Sequence, residues 1–182
     1  AWKITIYLAF GSFVLLIGLI GLWLAMPVGE RSFDMRIMAE QASQGLLFLK
    51  DTSLVLPFGW GILYGVQVTY LLLFIGFGIL VSLFPFHTWA PQAYASAPAP
   101  AAMLHAGVLK KFGLYGILRL ITPIFPAEIS SRFNTLLLVL LAGNILYVGF
   151  VTIAQRKLDL MLGYSSVMHM GYIFLGLLAW NP

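Results

Sequence analysis

Five apolar runs, each about long enough to cross a bilayer as a helix, are separated along this chain by short clusters of proline, glycine and charge. They fall at Ile4 to Met26, Gly61 to Phe84, Ala99 to Thr122, Asn134 to Ala154 and Leu160 to Trp180. Backbone amides in hydrocarbon must find their partners within the segment, so runs of this length predict helices rather than open strands. The expected fold is all-α, a polytopic transmembrane bundle of about five spans, with 1–182 forming one transmembrane domain. Composition agrees: the chain is 61% hydrophobic and 9% charged, which leaves too little polar surface to enclose a soluble core.

The first run carries no formal charge and is too long for the apolar region of a signal peptide, so it is expected to stay in the mature chain. The chain starts without methionine and stops just after an apolar run, as a fragment would. Cysteine is absent, which excludes disulfides, thiolate metal sites and cysteine-ligated clusters from this segment. The net charge of +4 has no basic tract suited to nucleic acid, and lipid headgroups are the expected counter-ions. Lys3, Arg156 and Lys157 on one side are too evenly matched by Arg31, Arg36, Lys50 and Arg132 on the other to set an orientation.

Between the first two runs, an amphipathic helix is expected near 32–50, with Ser32 as N-cap and Asp34 in its first turn. Phe33, Ile37 and Met38 would gather on one side, so the helix would lie flat at the interface or fold over the bundle mouth, or simply connect two spans. After the second run, Pro85 and Pro91 bracket FHTWA, and Pro98 and Pro100 follow, which predicts a proline-broken helix near 85–98. The freed carbonyls require water, side chains or protein partners. His87 and Trp89 in that break read either as an interfacial aromatic belt or as a titratable group at the mouth of a water path.

Lys110 and Lys111 lie in the middle of the third run, on the order of 15 Å from either boundary and beyond the reach of a lysine stem. Each charged lysine at that depth costs about 2.5–3.5 kcal/mol on insertion scales, and neighbouring like charges add repulsion. A buried amine beside a like charge readily exchanges its proton, the property a relay requires. The alternative is a pair of structural lysines held by carbonyls or by an acid on another helix. At 100° per residue, His105, Lys110 and Lys111 would leave a regular helix on different faces, so other helices should surround this one. In the fourth run, Asn144 is a candidate for helix-to-helix hydrogen bonding. In the fifth, Ser165, Ser166, His169 and Tyr172 form a polar stripe that either lines a hydrated path or ties two helices together. No metal, nucleotide or hydrolase constellation is present in the sequence.

PFHTWAPQAYASAPAPAAMLHAGVLKKFGLYGILR, followed by AQRKLDLMLGYSSVMHMGY, resembles the antiporter-like membrane subunits of respiratory complex I, most closely subunit M, the counterpart of mitochondrial subunit 4. Mrp-type antiporter and membrane-bound hydrogenase subunits are relatives. The resemblance covers essentially the whole chain and is most specific at PFHTWAPQA, at AGVLKK before YGILR, and at YSSVMHMG. It implies that 1–182 is the middle part of a fourteen-helix subunit, about the sixth to the tenth helix. It further implies that Lys111 is the central proton relay and that His87 and His169 serve a water path or its support; Lys110 and His105 stand at positions usually apolar in subunit M, and are expected to tune the relay's proton affinity by repulsion and to extend that path. The implied activity is that of a proton-translocating subunit of NADH:quinone oxidoreductase. This chain would hold no cofactor, and NADH, FMN, iron-sulfur clusters and quinone would bind to other subunits. Neighbouring antiporter-like subunits and the lipid bilayer would be its partners, and a bacterial inner membrane its location.

Two departures qualify the likeness. Relatives typically carry a second lysine seven residues before the histidine of PFH, where this chain has Leu80. The basic junction before YSS usually ends in lysine, where this chain has Asp159. An Mrp-type sodium/proton antiporter subunit, and a scaffold whose channel is disabled at Leu80, therefore remain alternative readings.

Overall fold

The computed structural model describes residues 2–27, 29–44, 53–55, 62–125 and 127–179. Helix α1 (Trp2–Ala25) is followed by the short α2 (Met35–Ser43), a two-stranded antiparallel ribbon of β1 (Ser53–Val55) and β2 (Ile62–Tyr64), and helix α3 (Gly65–Val81). A 3-10 turn at Phe86–Thr88 leads into α4 (Trp89–Ser96). Residues 99–124 then form one continuous rod of α5 (Ala99–Leu104), a π turn at His105–Leu109, α6 (Lys110–Gly116), a second π turn at Ile117–Ile121 and α7 (Thr122–Ile124). A further rod, residues 127–153, joins α8 (Ala127–Ala142) through a π turn at Gly143–Tyr147 to α9 (Val148–Ile153), and α10 (Leu158–Leu178) closes the described chain.

Among the described residues, four stretches are long and apolar enough to cross a membrane: Trp2–Ala25, Gly65–Ser96, Phe133–Ile153 and Leu158–Leu178. The rod at 99–124 matches the remaining expected span in length, but His105, Lys110, Lys111 and Arg119 make it less apolar. The second span begins at Gly65 rather than Gly61, because Ile62–Tyr64 is extended and pairs with Ser53–Val55 in the register Leu54 to Leu63. The all-α expectation therefore holds for the bundle, with this small ribbon outside it.

Small residues bring α1 and α3 together. A Cβ on Gly76 would stand 2.8 Å from Leu15 Cβ and 2.9 Å from the Leu15 backbone, and one on Gly18 would stand 2.9 Å from the Leu73 side chain. Only glycine allows the two backbones to approach this closely. A larger core, built around Tyr70, Leu73, Phe74, Ile121, Leu141 and Phe174, joins α3 to the later helices.

α2 is shorter than the expected helix, and residues 45–50 lie outside those described. Its N-cap is Asp34, whose carboxylate accepts from the Arg36 amide at 2.8 Å, while Ser32 Oγ accepts from the Asp34 amide at 3.0 Å. Two oxygens thus serve amides two residues apart, and the helix starts later than Ser32 alone would place it. α2 lies against the end of the 99–124 rod. Met38 and Gln41 turn inward while Phe33 and Ile37 stay exposed, so the inward face is not the one expected from Phe33.

The break after α3 precedes the prolines. Ser82 takes a left-handed backbone with φ of 61°, its amide donates to Ile79 O at 3.1 Å, and the Leu83 amide donates to Gly78 O at 2.8 Å. This pair of bonds is a Schellman cap, built here on serine instead of the usual glycine. Pro91, expected to mark the far side of the break, sits in the first turn of α4, where a missing N–H leaves no intrahelical bond unmade.

Candidate functional site

The broken helix is re-anchored by side chains from elsewhere. Trp89 is 1% exposed and its indole N–H donates to Ile79 O at 3.2 Å, so the carbonyl at the end of α3 has a side-chain partner as well as the Ser82 amide. Asn144 is fully buried, accepts from the Phe84 amide at 3.1 Å and donates to Val167 O at 3.0 Å. One carboxamide thereby ties the break, the 127–153 rod and α10 together, as its position in an apolar helix predicts. Gly163 lets α10 approach α4 closely, since a Cβ there would stand 2.8 Å from Pro91 Cα.

Lys110 projects into the junction of α4, α6 and α10. It is 1% exposed, its ammonium nitrogen lies 3.5 Å from Ser166 Oγ, and it sits over the ring of Tyr94 at 5.7 Å from the centroid. The hydroxyl of Tyr94 in turn meets His105 Nδ1 at 3.2 Å. The His105 ring also stands edge-on to Trp89, with centroids 5.7 Å apart.

His105 and Lys110 therefore share one side of their rod, contrary to the expectation from a regular helix. The π turn is the cause: the Lys110 amide bonds to His105 O, five residues back, and this stacks the two residues above one another. Lys111 takes the opposite outcome. It is exposed, and its ammonium folds back to Gly107 O at 2.8 Å and Ala106 O at 3.4 Å, carbonyls within the same π turn.

The other two histidines are separate from this junction in their contacts. His87 is buried beside Phe84 and Tyr147, with ring centroids 5.5 and 6.0 Å away, and its Nδ1 has no hydrogen-bond partner among the described residues. His169 is exposed, with Nδ1 donating to Ser165 O at 2.7 Å and its ring 6.5 Å from Tyr172. The expected stripe on α10 is thus divided, with Ser166 turned to Lys110 and Ser165 to His169. No group of three or more metal-ligating side chains occurs among the described residues.

A cavity of about 290 Å³ borders the junction, lined by Leu8, Phe77, Leu80, His105, Leu109, Phe112 and Gly113. Leu80 and His105 consequently face the same space. Tyr94 is the member of the site that the sequence reading passed over. The available signal was a tyrosine eleven residues before a histidine across a proline-marked turn, and only the folded return of the chain brings the two together.

Buried polar groups at a broken helix inside an apolar bundle define a polytopic membrane protein with a polar interior. Residues 1–181 match the family described as NADH:quinone oxidoreductase/Mrp antiporter, transmembrane, and the chain belongs to that family. It is 31% identical over 181 residues to NADH-quinone oxidoreductase subunit M of Rickettsia felis, covering 100% of this chain and 32% of that one. It is 36% identical over 181 residues to NAD(P)H-quinone oxidoreductase chain 4 1 of Synechococcus elongatus, covering 100% of this chain and 30% of that one. In fold it is similar to a chain of respiratory complex I from Thermus thermophilus with bound NADH, with a TM-score of 0.73 at 24% identity over 97% of this chain and 33% of that one. The chain thus spans about a third of the length of the curated relatives it matches.

Proposed function

We propose that this chain is the middle part of a fourteen-helix, proton-translocating antiporter-like subunit of an NADH:quinone oxidoreductase, in which a buried lysine relay couples quinone reduction to proton pumping. The observation that carries this reading is Lys110: a lysine 1% exposed in an apolar bundle, with a hydroxyl and an aromatic face as its contacts and no carboxylate bridging it among the described residues. A structural lysine at such depth would be expected to have an acid partner, whereas a relay needs an amine that can be neutral for part of its cycle.

In this proposal Lys111 holds and passes the proton, and Lys110 tunes it by repulsion. Lys111 stands on a surface with Leu104, Val108, Phe112 and Tyr115, which are 57%, 50%, 60% and 56% exposed. An ammonium at that depth is too costly to leave against lipid, so this face would meet further helices of the longer subunit. His105 serves the water path beside the lysines, and His87 and His169 support it at the break and on α10. Electron transfer, with NADH, FMN, iron-sulfur clusters and quinone, would take place in other subunits, and the partners would be neighbouring antiporter-like subunits and lipid. The bacterial origin of the relatives supports a bacterial inner membrane as the location.

The test compares Lys111→Met, Lys110→Met and wild type in sealed vesicles carrying the intact complex, measuring electron transfer and proton uptake after assembly is confirmed. Loss of proton uptake in Lys111→Met, with much of it kept in Lys110→Met, assigns the relay to Lys111 and the tuning role to Lys110. Loss in Lys110→Met alone makes Lys110 the relay. Wild-type uptake in both variants would make this subunit a scaffold, a reading that the apolar Leu80 at the cavity favours. The family description also includes Mrp antiporters, and sodium dependence of uptake would favour that second reading.

A further inference from the structure

Asn144 is fully buried and hydrogen-bonds to the two segments that wall the site of Lys110. Its Oδ1 accepts from the Phe84 amide at 3.1 Å, on the link that leads through the 3-10 turn to α4 and Tyr94. Its Nδ2 donates at 3.0 Å to Val167 O on α10, next to Ser166. Both segments then meet Lys110, Ser166 with its hydroxyl at 3.5 Å and Tyr94 with its ring at 5.7 Å. The contact with Ser166 stands at the outer limit for a hydrogen bond. A shift of α10 by a few tenths of an ångström therefore decides whether the lysine has a hydroxyl partner.

The π turn at Gly143–Tyr147 places the carboxamide here. The Val148 amide bonds to Gly143 O, five residues back, and a Cβ on Gly143 would stand 3.2 Å from the Phe84 ring. On the other side, Gly171 leaves the room for Nδ2, from which a Cβ there would stand 2.8 Å. A planar carboxamide bonded at both ends holds its two partners at a fixed separation, because releasing either leaves a polar group unpaired in an apolar interior.

We infer that Asn144 is a positioning residue for Lys110, holding the Ser166 wall and the Tyr94 wall of the lysine's site in register with each other. This inference rests on the reading above in which Lys110 tunes the relay. Asn144 acts through Val167 and Phe84 rather than by contact with the amine. The titratable groups around Lys110 are Tyr94 on α4 and His105 and Lys111 on its own rod, and α10 faces it with the hydroxyl of Ser166. Ser166 offers the ammonium form an acceptor, so its placement governs the charge that Lys110 presents to Lys111.

The experiment measures the pH profile of proton uptake in sealed vesicles carrying the intact complex, with assembly confirmed. It compares wild type, Asn144→Leu, Ser166→Ala, Lys110→Met and the double variant Asn144→Leu with Lys110→Met. Asn144→Leu is expected to displace the profile in the same direction as Ser166→Ala, by about one pH unit, the size that one hydrogen bond to a charged group gives. In the Lys110→Met background it is expected to displace nothing, because a residue acting through Lys110 has no further effect once the amine is gone. A displacement that persists in that background would make Asn144 a packing residue and overturn the inference. A wild-type profile in Asn144→Leu beside a displaced one in Lys110→Met would also overturn it, while leaving the lysine reading standing. A wild-type profile in Lys110→Met would remove the tuning role of the lysine and this inference with it. Should Asn144→Leu fail to assemble, Gly171→Ala decides, since its Cβ presses on Nδ2 with the carboxamide retained. The same displacement is expected there, and a wild-type profile overturns the proposal.

Discussion

The contact of α1 with α3 and the junction of α4, α6 and α10 are built by opposite means. In the first, Gly18 and Gly76 let two helices approach until backbone meets side chain, and the attraction is packing. In the second, helices are interrupted or widened by π turns, and Trp89, Asn144, Tyr94 and Ser166 meet the polar groups there. Regular helices with small residues give a rigid pair that offers few polar side chains. A junction that can hold a buried amine needs irregular backbone and side-chain partners.

The comparison can be broken most forcefully at the lysine. Lys111→Met is expected to lower proton uptake by on the order of 10²-fold in assembled complex, whereas Lys110→Met should keep much of it at equal or slightly higher stability, because there an apolar side chain replaces a buried charge. Parallel proton-uptake and detergent-unfolding measurements check both halves. Next in size, Gly76→Val forces a side chain against the Leu15 backbone and is expected to destabilise α1 against α3 by about 3 kcal/mol, read by unfolding in mixed micelles. Asn144→Leu removes the bridge between the break and α10. It is expected to cost about 1–2 kcal/mol in the same assay, with a larger loss of proton uptake than Gly76→Val at equal assembly. The smallest effect is expected at Ser82, where glycine relieves a left-handed backbone but loses the hydroxyl bond to Val81 O. Ser82→Gly should stay within about 1 kcal/mol of the parent, whereas Ser82→Val should fall below it by a similar amount or more.

Much of this contrast is legible in the residues themselves. The apolar runs mark the spans to within a few positions, except that Ile62–Tyr64 joins a ribbon through a partner strand that hydropathy does not reveal. Asn144 is readable as an interhelical donor, yet its acceptance of the Phe84 amide depends on where α3 stops. That stop was displaced from the prolines to Ser82 because a Schellman cap requires only one left-handed residue and two free carbonyls, and serine carries no strong sequence signal for it. His87 was legible as the histidine of the break, and its burial between Phe84 and Tyr147 comes from the 127–153 rod packing over it.

Length, hydropathy and the depth of the ionisable residues determined by themselves that this is a membrane bundle and that Lys110 and Lys111 demand protein or water around them. These are costs carried by each residue wherever its neighbours lie. Which lysine is enclosed was decided only by the tertiary structure. Adjacent residues on a helix point about 100° apart, and the π turn at His105–Leu109 resets that phase, sending Lys110 to Tyr94 and Ser166 and Lys111 back to Gly107 O.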